Sequence, residues 1–249
     1  MSIESVADWR GLRAAATVAR ATLDAMARGV RPGVTTGQLD AIAAHVFASA
    51  GARSAPALVY GFPGTVLISI NDEIVHGVPG PRVIAPGDLV KLDVTVEKDG
   101  YVADAARTVV VSPATATAQR LAACAEAAFR AALLVARDGV RVSEIGRAVH
   151  DEVRRHRFTV VRSLTGHGVG RTIHEPPAVP NYRDPGQLDV LTEGLVLTIE
   201  PIITAGSSRL ATYADGWTMR TRDGSLSAHY EHTLVITRGV PIVLTAEAA

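Results

Sequence analysis

Two stretches of this chain follow the same plan 110 residues apart, and that repetition limits the fold more than any other feature. An Ala- and Arg-rich helix runs from about Val6 to Arg28, stops at Gly29-Val30-Arg31, and is followed by a second helix through Phe47. A second such helix, from about Thr115 to Arg137, stops before Gly139-Val140-Arg141 and is followed by one through His156. Apolar residues recur at helical spacing in both, and Thr36 and Ser143 are the expected N-caps. A bare Gly-Val-Arg match is weak; the shared order of elements makes internal duplication the better reading.

Strands are expected after each helix pair: Val66–Ile70, Leu89–Glu97 and Tyr101–Val111, then Val160–Ser163, Gly194–Ile203 and His229–Thr237. Helix, helix, strands, twice over, predicts one α+β domain over residues 1–249 with pseudo-two-fold symmetry, its halves spanning about 6–111 and 115–238. A site between such halves draws residues from both.

Composition excludes several classes. At 249 residues and 47% hydrophobic, the chain can bury a large core. Lys+Arg and Asp+Glu balance at 25 each, which leaves no basic footprint for nucleic acid and no polybasic segment for membranes. The start Met-Ser-Ile-Glu-Ser lacks the pattern of a signal peptide, and no stretch approaches the ~20 apolar residues of a membrane span. The single cysteine, Cys124, lies in an alanine-rich run and reads as a small core residue. A cytoplasmic location is the expectation.

The chemistry-bearing residues begin with a hairpin. Asp99-Gly100 separates two runs of period two, and as a two-residue loop it sets Asp93 opposite Ala106 and Thr95 opposite Asp104. Asp93 and Asp104 are then diagonal neighbours on one face. Two carboxylates so placed repel unless a cation or a proton intervenes. On pattern alone a solvent face is the better explanation, since Asp93 alternates with Lys91 and Thr95.

Glu200 is more telling. It sits in Leu195-Val196-Leu197-Thr198-Ile199-Glu200-Pro201-Ile202-Ile203, which reads as a strand covered on both faces. A carboxylate there must be paired, protonated or bound to metal. Glu231 opens the last strand and by itself could be a surface residue. His167 lies within Gly166-His167-Gly168-Val169-Gly170, where the glycines allow close backbone approach; His174 follows in a loop, and His76, in Ile74-Val75-His76-Gly77-Val78-Pro79, is similarly suggestive. Four carboxylates and one histidine suit a pair of divalent ions such as Mn, Fe, Co or Zn, whereas a lone magnesium seldom takes histidine.

Taken in order, these segments resemble the methionine aminopeptidases. Asn71-Asp72-Glu73-Ile74-Val75-His76-Gly77-Val78-Pro79 is similar to that family's N-E-x-x-x-H-G-x-P segment, with Asp72 in place of Glu. Asp93 and Asp104 stand eleven apart. Gly166-His167-Gly168-Val169-Gly170 through His174-Glu175-Pro176-Pro177 resembles its G-H-G-x-G-x-x-x-H-E-x-P signature, and Thr198-Ile199-Glu200-Pro201 and Tyr230-Glu231-His232-Thr233 resemble its last two segments. The resemblance covers nearly the whole chain.

It implies the pita-bread (creatinase/aminopeptidase) fold and two divalent ions (Co, Mn, Fe or Zn) held by Asp93, Asp104, His167, Glu200 and Glu231. Asp104 and Glu231 would bridge the ions. It further implies catalytic roles for His76, His174 and Glu200, and a methionine pocket formed with Phe62 and Trp217. The implied substrates are N-termini of nascent polypeptides with a small second residue, met by a monomer with transient ribosome contact. The chain departs from common family choices at Val59, Leu67, Ile173 and His229, the last where glutamine is frequent, so pocket shape and metal tuning are expected to differ. Two alternatives carry weight: a prolidase or X-Pro aminopeptidase, which usually has a large extra N-terminal domain, and a non-catalytic pita-bread binding protein, which would have lost ligands. The short (type I) form is favoured because no long insertion separates His174 from Glu200.

Overall fold

The structure is a computed structural model and describes residues 1–246. Its first half runs α1 (Val6–Gly29), α2 (Thr36–Ala50), β1 (Arg53–Ser54), α3 (Ala55–Tyr60), β2 (Leu67–Ile70), β3 (Glu73–Val75), β4 (Leu89–Lys98) and β5 (Tyr101–Val110). The second begins with α4 (Ala116–Leu133), α5 (Val142–Arg155), β6 (Thr159–Val160), β7 (Thr165–Gly168) and β8 (Glu175–Pro180). It continues through β9 (Val196–Ile199), β10 (Ile202–Thr204), β11 (Leu210–Thr212), β12 (Met219–Thr221), β13 (Ser227–His229), β14 (Glu231–Val235) and β15 (Ile242–Val243). Two long helices therefore precede each set of strands, in the mixed helix-and-sheet arrangement expected of the pita-bread fold.

Local chemistry explains the helix starts. Ser5 caps α1 by accepting from the Asp8 amide, and Thr35 with Gln38 forms a full capping box on α2. The cap of α2 is thus Thr35 and not Thr36: only a hydroxyl one residue earlier reaches the amide of Gln38. Helix α5 starts at Arg141 without a side-chain cap, so Ser143 is not its cap either. There the Arg141 carbonyl accepts from the Glu144 amide, and burial of Val142, Ile145, Val149 and Val153 fixes the helix by packing.

The main sheet runs β1-β4-β5-β14-β9-β7-β8, with β2 paired to β4 and β15 to β14. Its seam is the antiparallel pair β5 and β14, one strand from each half. One face carries Val94, Val96, Ala103 and Ala105 against Leu23, Met26 and Phe47 of α1 and α2. Farther along, Leu197, Ile199 and Leu234 pack on Leu121, Phe129, Ile145 and Val149 of α4 and α5. At about 1.5–3 kcal/mol for each large apolar side chain buried, these two clusters hold the helices to that face. Cys124 lies buried among them, and burial pushes its thiol up to about 12, far from any nucleophilic range.

Two expected strands break where polar atoms must be placed. Gly194–Ile203 ends as β9 at Ile199, and the chain enters a separate three-stranded sheet as β10. Pro201 has no amide to donate to a ladder, so the strand cannot run through it. Glu200 therefore sits at a break between sheets, not inside a continuous covered strand. His229–Thr237 likewise divides at Tyr230 into β13 and β14.

Candidate metal centre and its pocket

Strand register assembles the site. The loop Asp99-Gly100 has positive φ at both residues (52° and 82°), which a tight two-residue hairpin requires, and Lys98 pairs with Tyr101. The register then sets Asp93 opposite Ala106 and Thr95 opposite Asp104. Across the seam Glu231 also stands opposite Ala106, and one step on from His232 opposite Ile199 lies Glu200 beside Glu231. One row of the sheet thus reads Asp93, Ala106, Glu231, Glu200. The adjacent row reads Thr95, Asp104, Thr233, Thr198, with the His167 amide donating to the Thr198 hydroxyl. All these side chains leave the face that the helices do not cover.

Two groups of liganding atoms lie close enough to hold a cation: Asp93, His229 and Glu231, and Asp104, His167 and Glu231. Glu200 joins them, its oxygens 3.5 Å from His167 Nε2 and 3.6 Å from His229 Nε2. Asp104 Oδ1, Glu231 Oε1 and both ring nitrogens of His229 are buried without a hydrogen-bond partner. Burial, with Asp104 and Asp93 as charged neighbours, drives Glu200 and Glu231 well above the usual carboxylate range. Burial and the Asp104 charge do the same to Asp93, and burial raises Asp104 to about 6. Acids crowded and orphaned in this way fit divalent cations, which relieve the repulsion and accept the unused lone pairs.

The imidazoles are held neutral. Burial lowers His167 to about 4 and His229 to about 3, and lowers His76 and His174 as well. His167 Nδ1 donates to the Gly168 carbonyl, which turns Nε2 toward the carboxylates. A Cβ on Gly168 would come within 2.1 Å of the Pro176 carbonyl oxygen, so only glycine lets β8 pack this close. His76 has φ of 60°, a strained value for a residue other than glycine; Gly77 follows, where a Cβ would meet the Ile68 carbonyl at 2.1 Å.

Above the acids opens a cavity of about 880 Å³. His76 and His174 line it, as do Phe62 and Trp217, whose rings meet edge to face at 5.3 Å between centroids. The structure therefore brings His76, Asp93, Asp104, His167, His174, Glu200, Glu231, Phe62 and Trp217 to one pocket. Two further residues belong there. His229 was legible as a departure two residues before Glu231, a spacing that shares a strand face. Tyr60, 2.6 Å from His174 Nδ1, ends a short helix that leaves no periodic signal in the sequence.

A nine-stranded sheet joining two helix-pair halves, with acids and imidazoles along its seam, is the architecture of a two-fold metallopeptidase. The chain belongs to metallopeptidase family M24, whose description matches residues 10–238. Within it the chain falls among the methionine aminopeptidases. It is 38% identical to methionine aminopeptidase 2 of Bacillus subtilis (strain 168), over 98% of this chain and 99% of that one. The crystal structure of methionine aminopeptidase from Rickettsia prowazekii superimposes with a TM-score of 0.93 at 36% identity, over 99% of this chain and 100% of that one. The prolidase of Pyrococcus horikoshii OT3 shares the fold alone, at 23% identity and a TM-score of 0.77; this chain spans 64% of its length. Among the described residues no helix is long and apolar enough to cross a membrane.

Proposed function

We propose that this chain hydrolyses the N-terminal methionine from peptides and nascent proteins whose second residue is small. The observation that carries the reading is the gathering of four carboxylates and the His167 imidazole at the base of an apolar-walled cavity. Asp93, Asp104, His167, Glu200 and Glu231 would hold two divalent ions (Co, Mn, Fe or Zn), with Asp104 and Glu231 shared between them. Such a pair, when bound, polarises the scissile carbonyl and makes water ionisable near neutral pH.

The remaining work falls to side chains. Phe62 and Trp217 take the methionine side chain. His174 receives a hydrogen bond at Nδ1 from Tyr60, so its Nε2–H is free to donate to the carbonyl oxygen as that atom gains charge. His76, kept neutral by burial, donates to the amide being cleaved and assists the leaving amine. Glu200 accepts the proton of the attacking water at its carboxyl and delivers it to that amine. The proposed setting is the cytoplasm, with a monomer meeting new chains by transient ribosome contact.

The test is hydrolysis of Met-Ala-type against X-Pro peptides by protein stripped of metal and reloaded with Mn, Co, Fe or Zn in turn. Activity on the methionyl peptides is expected to return with metal and to be abolished in Asp104→Asn. Preference for X-Pro peptides would favour a prolidase; full activity in Asp104→Asn would remove the bridging role.

A further inference from the structure

His229 is unusual among the polar residues of the pocket. It is 2% exposed, yet neither ring nitrogen has a hydrogen-bond partner. Its Nε2 lies 3.5 Å from Glu231 and 3.6 Å from Glu200, too far for hydrogen bonds to either carboxylate. Its backbone is fixed on both sides of the peptide: the amide donates to the Thr108 hydroxyl, which in turn donates to the His229 carbonyl. A rigid, buried imidazole left unpaired is costly, and a ligand at one ring nitrogen relieves that cost at the atom it binds.

The grouping of atoms shows where that ligand belongs. Asp93, His229 and Glu231 converge in one group, and Asp104, His167 and Glu231 in a second, with Glu231 common to both. We infer that His229 is a sixth ligand of the metal centre, giving an imidazole nitrogen to the ion nearer Asp93, so that each of the two ions carries one histidine. The inference rests on the dinuclear reading above and adds a ligand to it. Two imidazoles among carboxylates shift the site toward borderline ions such as zinc, cobalt and iron, and away from magnesium and calcium.

The test counts imidazoles. Protein loaded with two equivalents of zinc is examined by X-ray absorption, and the affinity of each zinc is measured by calorimetry. The wild type is expected to show two imidazoles per two zinc ions. His229→Gln should show one, and its weaker zinc should bind about tenfold less tightly or worse. Two tightly bound zinc ions with a single imidazole in the wild type would overturn the inference and leave the dinuclear reading standing. Two imidazoles persisting in His229→Gln would overturn it as well. No stoichiometric zinc binding would remove both readings. If His229→Gln does not fold, His76→Gln and His174→Gln decide the matter: a count that stays at two in both assigns the second imidazole to His229, and a count that falls in either overturns the assignment.

Discussion

The Tyr60 hydroxyl stands 2.6 Å from Nδ1 of His174, and the His174 ring packs against that of His167 at 4.3 Å between centroids. Burial raises the Tyr60 phenol above its ordinary value, so it stays protonated at neutral pH and donates. The proton of neutral His174 is then on Nε2, the nitrogen left to meet substrate. Tyr60→Phe removes this control of the tautomer without removing the imidazole. We expect kcat to fall about tenfold with little change in KM, against a loss of about a hundredfold or more in His174→Ala. An unchanged kcat in Tyr60→Phe would show that the hydroxyl does not position the ring.

The crowded acids give the metal-free protein a defined pH response. Asp93, Glu200 and Glu231 have raised values in the folded state, and Asp104 rises to about 6, against about 4 for unfolded carboxylates. Folding then favours their protonated forms, and that stability is lost as pH climbs through the folded values. The buried imidazoles act in the opposite sense. His167 and His229 have folded values of about 4 and 3, so their contribution is present above about 6.5 and lost as pH falls. With four acids set against two imidazoles, the site's contribution to the urea midpoint of chelator-treated protein should decline as pH rises above about 4, and most steeply above about 6.5, where the imidazoles no longer offset the acids. Divalent metal should stabilise most on the alkaline side, where the acids are ionised. A metal-induced gain equal at pH 5.5 and pH 8 would contradict this account of the site.

Much of the site is legible in the sequence, for reasons that differ by residue. The Asp93–Asp104 relation followed from one turn dipeptide, because Asp99-Gly100 sets the register and the register sets the face. The helix pairs followed from apolar spacing. Glu200 is buried as its apolar segment predicts, but Pro201 ends the strand there, so the carboxylate lies at a break between two sheets and not within one covered strand. The short strands β3, β11 and β12, three residues each, owe their form to partners distant in sequence, and no local pattern announces them. His229 carried a signal, its spacing from Glu231, but only the fold shows that its ring nitrogens are unpartnered.

Trp217 closes the pocket from a loop in which Asp215 accepts from the Trp217 and Thr218 amides and from the Thr218 hydroxyl. The indole is thereby presented edge to face with Phe62. Contact with an apolar side chain of this size contributes about 1.5–3 kcal/mol, or roughly ten- to a hundredfold in affinity. Trp217→Ala should raise KM for methionyl peptides within that range while leaving kcat close to wild type. An equal loss on peptides with N-terminal alanine would mean that the ring serves folding and not recognition.

Lys91 is the largest fully buried side chain, and its ammonium group donates to the carbonyls of Asn71 and Ser227. Ser227 adds hydrogen bonds to the carbonyls of Asn71 and Glu73, so the strand leading to His229 and Glu231 is tied to the segment leading to His76. Burial lowers this lysine to about 7, against the attraction of Glu73 and Asp72. An unfolded lysine titrates near 10.4, so its contribution to stability is fully present only above that value and falls as pH drops toward 7. Lys91→Met deletes the titration and leaves two carbonyls without their donor. The stability of the wild type relative to Lys91→Met should therefore be greater at pH 9.5 than at pH 7, measured by urea unfolding of metal-free protein so that the acids contribute equally to both. The variant should also lose kcat, because the His76 segment and the strand carrying His229 and Glu231 are no longer held together. A stability difference that does not change with pH would show that Lys91 titrates as an ordinary solvated lysine.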